Sequence, residues 1–314
     1  MESKLKAEES NNTAIMEFVL VGFSDVPNLQ WILFGIFLAI YLIILLGNSM
    51  IILITRNDST LQNPMYFFLG NLSFLEICYV TATVPRMLSD IWTQKGNISF
   101  LACATQMGFV LLFGGTECLL LTVMAYDRYV AICNPLNYPL VMNHKVCTQL
   151  VAGSWISGIP VEIGQTCQIF SRSFCGSNTI NHFFCDLPQI LKLACGDKLV
   201  NQMVIYILAV IFLMVPFLLI VASYSKIISS ILKLSSAKGR AKAFTTCSSH
   251  LTVVVLFYGT AAINYLQPRS NQSEGLGKLL SLFYTILTPM MNPVVYSLRN
   301  KDVMVALKRL LPNY

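Results

Sequence analysis

Charge is what this sequence has least of. Asp, Glu, Lys and Arg together make up 11% of the 314 residues, while 55% are hydrophobic. A soluble domain carries about a quarter charged residues, so an ordinary soluble fold is excluded. The start, "MESKLKAEESNNTAIMEF", is acidic and polar, with neither a basic opening nor a short apolar core. It therefore does not read as a cleavable signal peptide, and the first apolar run must itself direct insertion. No repeat of 20–50 residues and no inverted half-repeat of the transporter kind is visible. Histidine is scarce. His144 and His250 are isolated, and His182 forms an H-x-x-C pair with Cys185. That pair is a poor metal site, because a disulfide-bonded Cys185 has no thiolate to offer. No nucleophile–base set appears, so catalysis has no support. Residues 298–314 lack Ser, Thr and Cys, so neither Ser/Thr phosphorylation nor palmitoylation of the tail is expected. Ser229, Ser230, Ser235 and Ser236 are the alternative sites for shut-off.

What the chain has instead is apolar runs near 29–55, 64–88, 101–126, 146–167, 202–224, 243–266 and 276–298. Each approaches the ~20 residues needed to cross a bilayer. The fold class is therefore all-α, a seven-helix membrane bundle. It forms one domain over 1–314, with a 1–28 outer tail, a 29–298 bundle and a 299–314 cytoplasmic tail. With the amino terminus outside, the inner segments hold twelve of the 21 basic residues and only Asp58, Asp127 and Asp302 among acids. The positive-inside rule favours that orientation. The net charge of +6 reflects topology and gives no reason to expect nucleic-acid binding. Asn11, in N-N-T, is a glycosylation candidate. Of the ten cysteines, Cys103, Cys175, Cys185 and Cys195 fall outside, where disulfides persist, and three pairings are open. The tail "KDVMVALKRLL" places Val303, Met304, Leu307, Leu310 and Leu311 on one stripe, an amphipathic helix expected to lie on membrane lipid.

Charges inside the membrane are costly and usually face the bundle interior. "GGTECLLLTVMAYDRY" carries Glu117, Asp127 and Arg128. Eleven helical steps bring Arg128 back to within about 20° of Glu117, some 16 Å along the axis. Asp127 and Arg128 are adjacent, which suggests an ionic latch on an arginine that a partner can claim; an arginine snorkelling to the interface is the competing explanation. Glu76 and Glu117 are the buried acids of neighbouring helices. Two such carboxylates cannot both ionise cheaply, so a shared proton or a Na⁺ between them is expected. Glu162, near the outer end of the fourth helix, has two destinations, an entry path to the pocket or the membrane interface, and the interface is favoured.

The motifs "PMYFFLGNLSFLEICY", "MAYDRYVAICNPLNYP", "KAFTTCSSHL" and "PMMNPVVYSLRN", taken in this order, resemble the tetrapod-type (class II) odorant receptors, a branch of the rhodopsin-like G-protein-coupled receptors. The likeness runs from Phe18 to Leu310. It implies a small, largely hydrophobic volatile ligand and a stimulatory G protein of the olfactory type (Gs/Golf), raising cAMP. It implies residence in the plasma membrane, in cilia of olfactory neurons. By the same resemblance Asp127, Arg128 and Tyr129 form the G-protein switch, with Tyr224, His250, Asn292, Pro293 and Tyr296. Cys103–Cys185 and Cys175–Cys195 are the implied disulfides. Glu76 and Glu117 match the acidic pair below the ligand, a candidate Na⁺ site; no other cofactor is implied. The implied ligand set is Met107, Val110, Leu111, Gly114 and Gly115 on helix three and Ile205, Leu208, Ala209 and Phe212 on helix five. Tyr258, Ala261, Ala262 and Tyr265 on helix six and Ser281, Leu282 and Thr285 on helix seven complete it, with Tyr265 the leading polar contact. Val110 stands where amine receptors place an acid, and Ile286 where opsins place lysine, so neither of those receptor types fits. A transporter or proton channel using Glu76 and Glu117 is the rival class; apolar layers around Leu121 and Met124 argue against it.

Overall fold

The computed structural model describes residues 17–23, 29–175, 177–196, 199–233, 236–266, 274–298 and 301–310. Asn11 and the side chains of Tyr265 and Tyr296 lie outside the described residues. Seven long helices follow one another: α1 (Gln30–Asn57), α2 (Pro64–Thr93), α3 (Phe100–Cys133), α4 (His144–Phe170), α5 (199–232), α6 (Ala237–Leu266) and α7 (274–298). A shorter α8 (Lys301–Leu310) follows them. Polar residues set several starts. Asn63 accepts from the Tyr66 amide at 3.3 Å, with Pro64 opening α2. Ser99 caps α3 through the Ala102 amide at 3.3 Å, and Asn143 caps α4 through Val146 at 3.0 Å. Each satisfies an amide that the first turn leaves free. Between α3 and α4 the two prolines of "CNPLNYPLV" allow only a short turn of helix, Tyr138–Val141.

Two helices widen locally. A π-turn at Val210–Met214 interrupts α5, and another at Phe283–Leu287 interrupts α7. The first lies just before Pro216, which has no N–H to give to the carbonyl four residues back. In the second, the Thr288 hydroxyl donates to the Phe283 carbonyl at 3.2 Å.

Helices α1 to α5 each combine the length and apolarity to cross a bilayer, and α6 carries a shorter apolar stretch, Cys247–Ile263. Their outer faces are apolar: Leu46, Leu101, Val255 and Trp31 are more than 60% exposed. Surface of that kind belongs against lipid. The inner faces form one core, in which Leu72, Leu75, Leu120, Leu121 and Val253 are fully buried. Helix α3 is its axis, packed against α2, α4, α5 and α6.

The two ends of the bundle are finished differently. At one end a three-stranded sheet of order β2-β1-β3 joins β1 (Glu17–Leu20), β2 (Asn97–Ser99) and β3 (Thr179–Ile180). β1 runs antiparallel to β2 and parallel to β3. Phe18 is wholly buried there among Phe100, Phe170 and Phe174. The end of the tail beside α1 is therefore part of the fold, a feature absent from the all-α expectation. Gly96 makes the sheet possible, since a Cβ there would stand 1.9 Å from the Leu20 carbonyl oxygen. At the other end α8 lays Val303 and Ala306 on Ile51, Ile54, Leu61 and Tyr66. Its apolar stripe thus docks on α1 and α2 of its own chain, which the amphipathic pattern alone could not distinguish from docking on lipid. Arg309 reaches Asp58 at 3.4 Å, and the Thr60 hydroxyl and amide hold the Asp58 carboxyl below its usual pKa.

Candidate functional site

A cleft of about 910 Å³, mouth included, opens between α3, α4, α5 and α6. Its walls include Val110, Leu111, Gly114 and Gly115 from α3, and Ile205, Leu208, Ala209 and Phe212 from α5, with Ala261 from α6. No side-chain contact comes within 4 Å of where a Cβ on Gly114 would stand, and on Gly115 only Phe212 does, at 3.8 Å. The two glycines therefore leave room beside α3. The π-turn of α5 presents Phe212 and Leu213 to the cleft, and that of α7 presents Tyr284.

Other residues expected at the ligand stand elsewhere. Met107 is fully buried in the cluster under the sheet, with Phe18 and Cys185. Tyr258 spends its hydroxyl on the Cys118 carbonyl at 2.9 Å, tying α6 to α3 beside the cleft. Ala262 and Leu282 pack on the central core. Thr285 donates to the Ser281 carbonyl at 2.6 Å. Ser281 lies in a chain of polar groups: His182 Nε2 to Ser281 Oγ at 3.0 Å, Ser281 Oγ to Tyr284 OH at 2.9 Å, and Tyr284 OH to Asp186 at 3.2 Å. Tyr265, named as a polar contact, lies outside the described side chains. The expected ligand set held no α4 residue, yet Gly158, Val161, Glu162 and Gln165 line the cleft. Glu162, expected at the lipid interface, turns inward against Gly108, where a Cβ would stand 2.1 Å from its Oε1.

The 171–196 loop roofs this region. It is joined to α3 by Cys103–Cys185 and within itself by Cys175–Cys195, each with 5.5 Å between Cα atoms. Gln106 adds to the first link, accepting from the Cys185 amide at 3.0 Å and donating to the Ala82 carbonyl at 3.0 Å. His182 is buried in the roof. Loss of water, with Lys278 nearby, lowers its pKa to about 3, so the imidazole is neutral.

Below the cleft lies a polar node. Glu76, Glu117, Asn48 and Asn292 are each at most 1% exposed. Asn292 donates to Glu76, and Asn48 donates to the Pro289 carbonyl at 3.3 Å. Glu76 Oε2, Glu117 Oε1, Asn48 Oδ1, Asn292 Oδ1 and Ser73 Oγ find no partner among the described residues. Buried acceptors without donors are costly. Several oxygens with two acids suit a hard cation or shared protons with water, so the residues fit the Na⁺ expectation.

Toward the α8 end, Val110, Glu117, Leu121 and Ala125 are buried along the stripe that runs to Arg128, with Gly114 and Arg128 half-buried. No ion pair at 4 Å or less joins Asp127 and Arg128 among the described residues, and their charges attract only through space. The Asp127 carboxylate instead accepts from the Tyr138 hydroxyl at 2.8 Å. Adjacent residues on a helix point about 100° apart; Asp127 reaches the short 138–141 helix, while the Arg128 charge is felt by Cys247 and His250 of α6. Burial and the Asp127 carboxylate push the Tyr138 pKa up, keeping it a donor. Tyr224 of α5 stacks on His250 of α6, with its hydroxyl 2.8 Å from Nδ1. Tyr129 is half-buried against the core, and Pro293 stands 3.0 Å from where a Cβ on Gly47 of α1 would be.

A seven-helix membrane bundle with a cleft at one end, an arginine at the other and a single helix joining them has the build of a heptahelical receptor. The family model described as "Olfactory receptor" matches residues 37–313. Human olfactory receptor 10AG1 is 69% identical over 296 residues, covering 94% of this chain and 98% of that receptor. Human olfactory receptors 10A4 and 10A7 are 54% identical over 302 residues and 52% over 299, covering 96% and 95% of both chains respectively. The chain belongs to the olfactory receptor family, whose members are G-protein-coupled receptors and not enzymes.

Proposed function

We propose that this receptor takes a small, mostly hydrophobic odorant into the cleft beside Gly114 and Gly115 and activates a stimulatory G protein of the olfactory type, raising cAMP. The observation that carries this reading is the single stripe of α3 that begins at the cleft wall, passes Glu117 and ends at Arg128. A ligand that binds one arrangement of the α3–α5–α6 contacts better than the other shifts the population toward it. Those contacts include Tyr258 on the α3 backbone and Tyr224 on His250. Arg128 then meets the G protein. The amino terminus lies outside the cell, an orientation supported by the excess of basic residues in the inner segments, and the receptor resides in the plasma membrane of olfactory cilia, as its family resemblance implies. A Na⁺ or a shared proton at Glu76 and Glu117 stabilises the resting state, supported by the orphaned oxygens around them. An odorant panel screened in cells reporting cAMP tests the proposal, with Arg128→Ala and Glu117→Ala as comparisons at matched surface expression. Ligand-evoked cAMP is expected from the parent chain and is expected to be lost with Arg128→Ala. An undiminished response of that variant would remove Arg128 from the mechanism, and ligand-evoked current without a G protein would replace the reading with a channel.

A further inference from the structure

One end of the cleft is built differently from the rest. Val110, Leu111, Ile205, Leu208, Phe212 and Ala261 form an apolar surround. On α4, however, Glu162 and Gln165 both line the cavity. They are three residues apart and so share a helix face. Gln165 is only 6% exposed, and its Oε1 has no partner among the described residues. The Glu162 carboxyl comes so close to the α3 backbone that a Cβ at position 108 would be 2.1 Å from Oε1 and 3.1 Å from the carboxyl carbon, so a larger residue there would push the carboxyl aside. No Lys, Arg or His is among the described residues lining the cavity.

Two acceptors in an apolar cavity without a basic side chain specify a head group. A ligand with an N–H or O–H donor satisfies the Gln165 oxygen that otherwise stays orphaned and can bond a second time at the Glu162 carboxyl, which Thr166 also bonds. A ligand whose head is only an acceptor, an aldehyde, ester or ether, leaves the Gln165 oxygen orphaned and has only the Gln165 amide N–H to accept from at this end. A carboxylate ligand meets like charge with no cation to offset it.

We propose that Glu162 and Gln165 form the head-group subsite of this receptor, selecting small apolar ligands that carry one hydrogen-bond donor, an alcohol or an ammonium, over acceptor-only and anionic ligands of the same length. Gly108 is the positioning residue, holding open the notch that the Glu162 carboxyl occupies. The subsite rests on the receptor reading above and gives its ligand a chemical class. A site built to hydrogen-bond its ligand discriminates strongly against an analogue lacking the donor, so a preference of about tenfold or more in half-maximal concentration is expected.

The test uses ligands with one seven-carbon chain and different heads: 1-heptanol, heptylamine, heptanal, heptyl methyl ether and heptanoate, beside a structurally mixed odorant panel. Cells carry the full-length receptor with its surface level measured, and both cAMP and a G-protein-independent conformational reporter are read. The alcohol or the amine is expected to act at least about tenfold more potently than the aldehyde and ether. Gln165→Leu should shrink that ratio to within about threefold while sparing the aldehyde response, a pattern that general loss of folding does not produce. Glu162→Gln separates the two donor sources: it should weaken the amine and spare the alcohol if charge matters, and spare both if hydrogen bonding alone is used. Gly108→Ala, which displaces the carboxyl without removing it, should narrow the donor preference in the same direction as Gln165→Leu. A receptor answering acceptor-only or anionic members as well as donors overturns the subsite, as does a donor preference that survives Glu162→Leu and Gln165→Leu unchanged. Response to panel odorants lacking donors, with silence to the donor series, sinks the subsite alone. Silence to every compound at normal surface level sinks the receptor reading and the subsite with it.

Discussion

Tyr138→Phe deletes one oxygen and tests how the α8 end of the bundle is held at rest. The Tyr138 hydroxyl donates to an Asp127 carboxylate that is 1% exposed, at 2.8 Å. A hydrogen bond to a charged group contributes about 1.5–3 kcal/mol, and the half-buried Tyr138 places this one at about 1.5 kcal/mol. If the bond belongs to the resting arrangement only, its loss raises the ratio of active to resting receptor by about tenfold. A receptor about 1% active without ligand would then be about 10% active. The expected result is ligand-independent signalling raised several-fold at equal surface expression, with odorant potency shifted in the sensitive direction. Asp127→Asn should act in the same direction. Asn keeps an acceptor oxygen without the charge, so its effect should be the smaller, and the double variant should add little to Tyr138→Phe, because both changes act on one interaction. Basal signalling unchanged or lowered in a well-expressed Tyr138→Phe receptor would show that the bond is equally present in both states, and the latch would have to be sought elsewhere.

The remaining predictions concern the roof and the sheet. Cys103→Ser with Cys185→Ser opens a link spanning 82 residues, and the corresponding pair at 175 and 195 opens one spanning 20. Chain entropy makes the first worth about 4–5 kcal/mol and the second about 3 kcal/mol, so surface expression should fall more for the first; the reverse order, by flow cytometry, would contradict the roof's role. His182 has a folded-state pKa of about 3, below the unfolded value near 6.5, so the unfolded chain takes the proton first. Its contribution is therefore full above about pH 6.5 and is lost as pH falls, at about 1.4 kcal/mol per pH unit until about pH 3. Purified receptor should lose about 2 kcal/mol more stability between pH 7 and pH 5 than His182→Gln does, read by thermal unfolding; equal losses would mean that His182 protonates freely in the folded chain. Gly96→Val drives a side chain into the Leu20 carbonyl and should free β1, which limited proteolysis near Phe18 would detect and whose continued protection would refute the close approach.

How much of this was legible depends on what kind of order each part has. The seven spans could be read because a bilayer forces every backbone group to be paired within its own helix, and that requirement appears as long apolar runs. The 17–20 strand could not, since its partners lie at 97–99 and 179–180 and four residues carry little periodicity. The fate of Tyr258, Ser281 and Thr285 was hidden for another reason: a hydroxyl on a helix facing the bundle can point to a ligand or to a nearby carbonyl, and only the spacing of neighbouring helices decides. Adjacency misled at Asp127, where the next residue in sequence is not the nearest partner in space. The α4 wall is the instructive case. Gly158, Glu162 and Gln165 lie at steps of four and three, one face of a helix, and all three line the cleft. Gly108 supplies the complementary notch on α3. Taken singly, Glu162 is a lone acid near a helix end, for which the membrane interface is the reasonable destination. Taken with Gln165 it forms a polar stripe in an apolar helix, and polar groups inside a membrane turn toward the bundle interior. The signal was in the sequence as a pair at helical spacing, and it became a site once α3 was seen to leave a glycine opposite it.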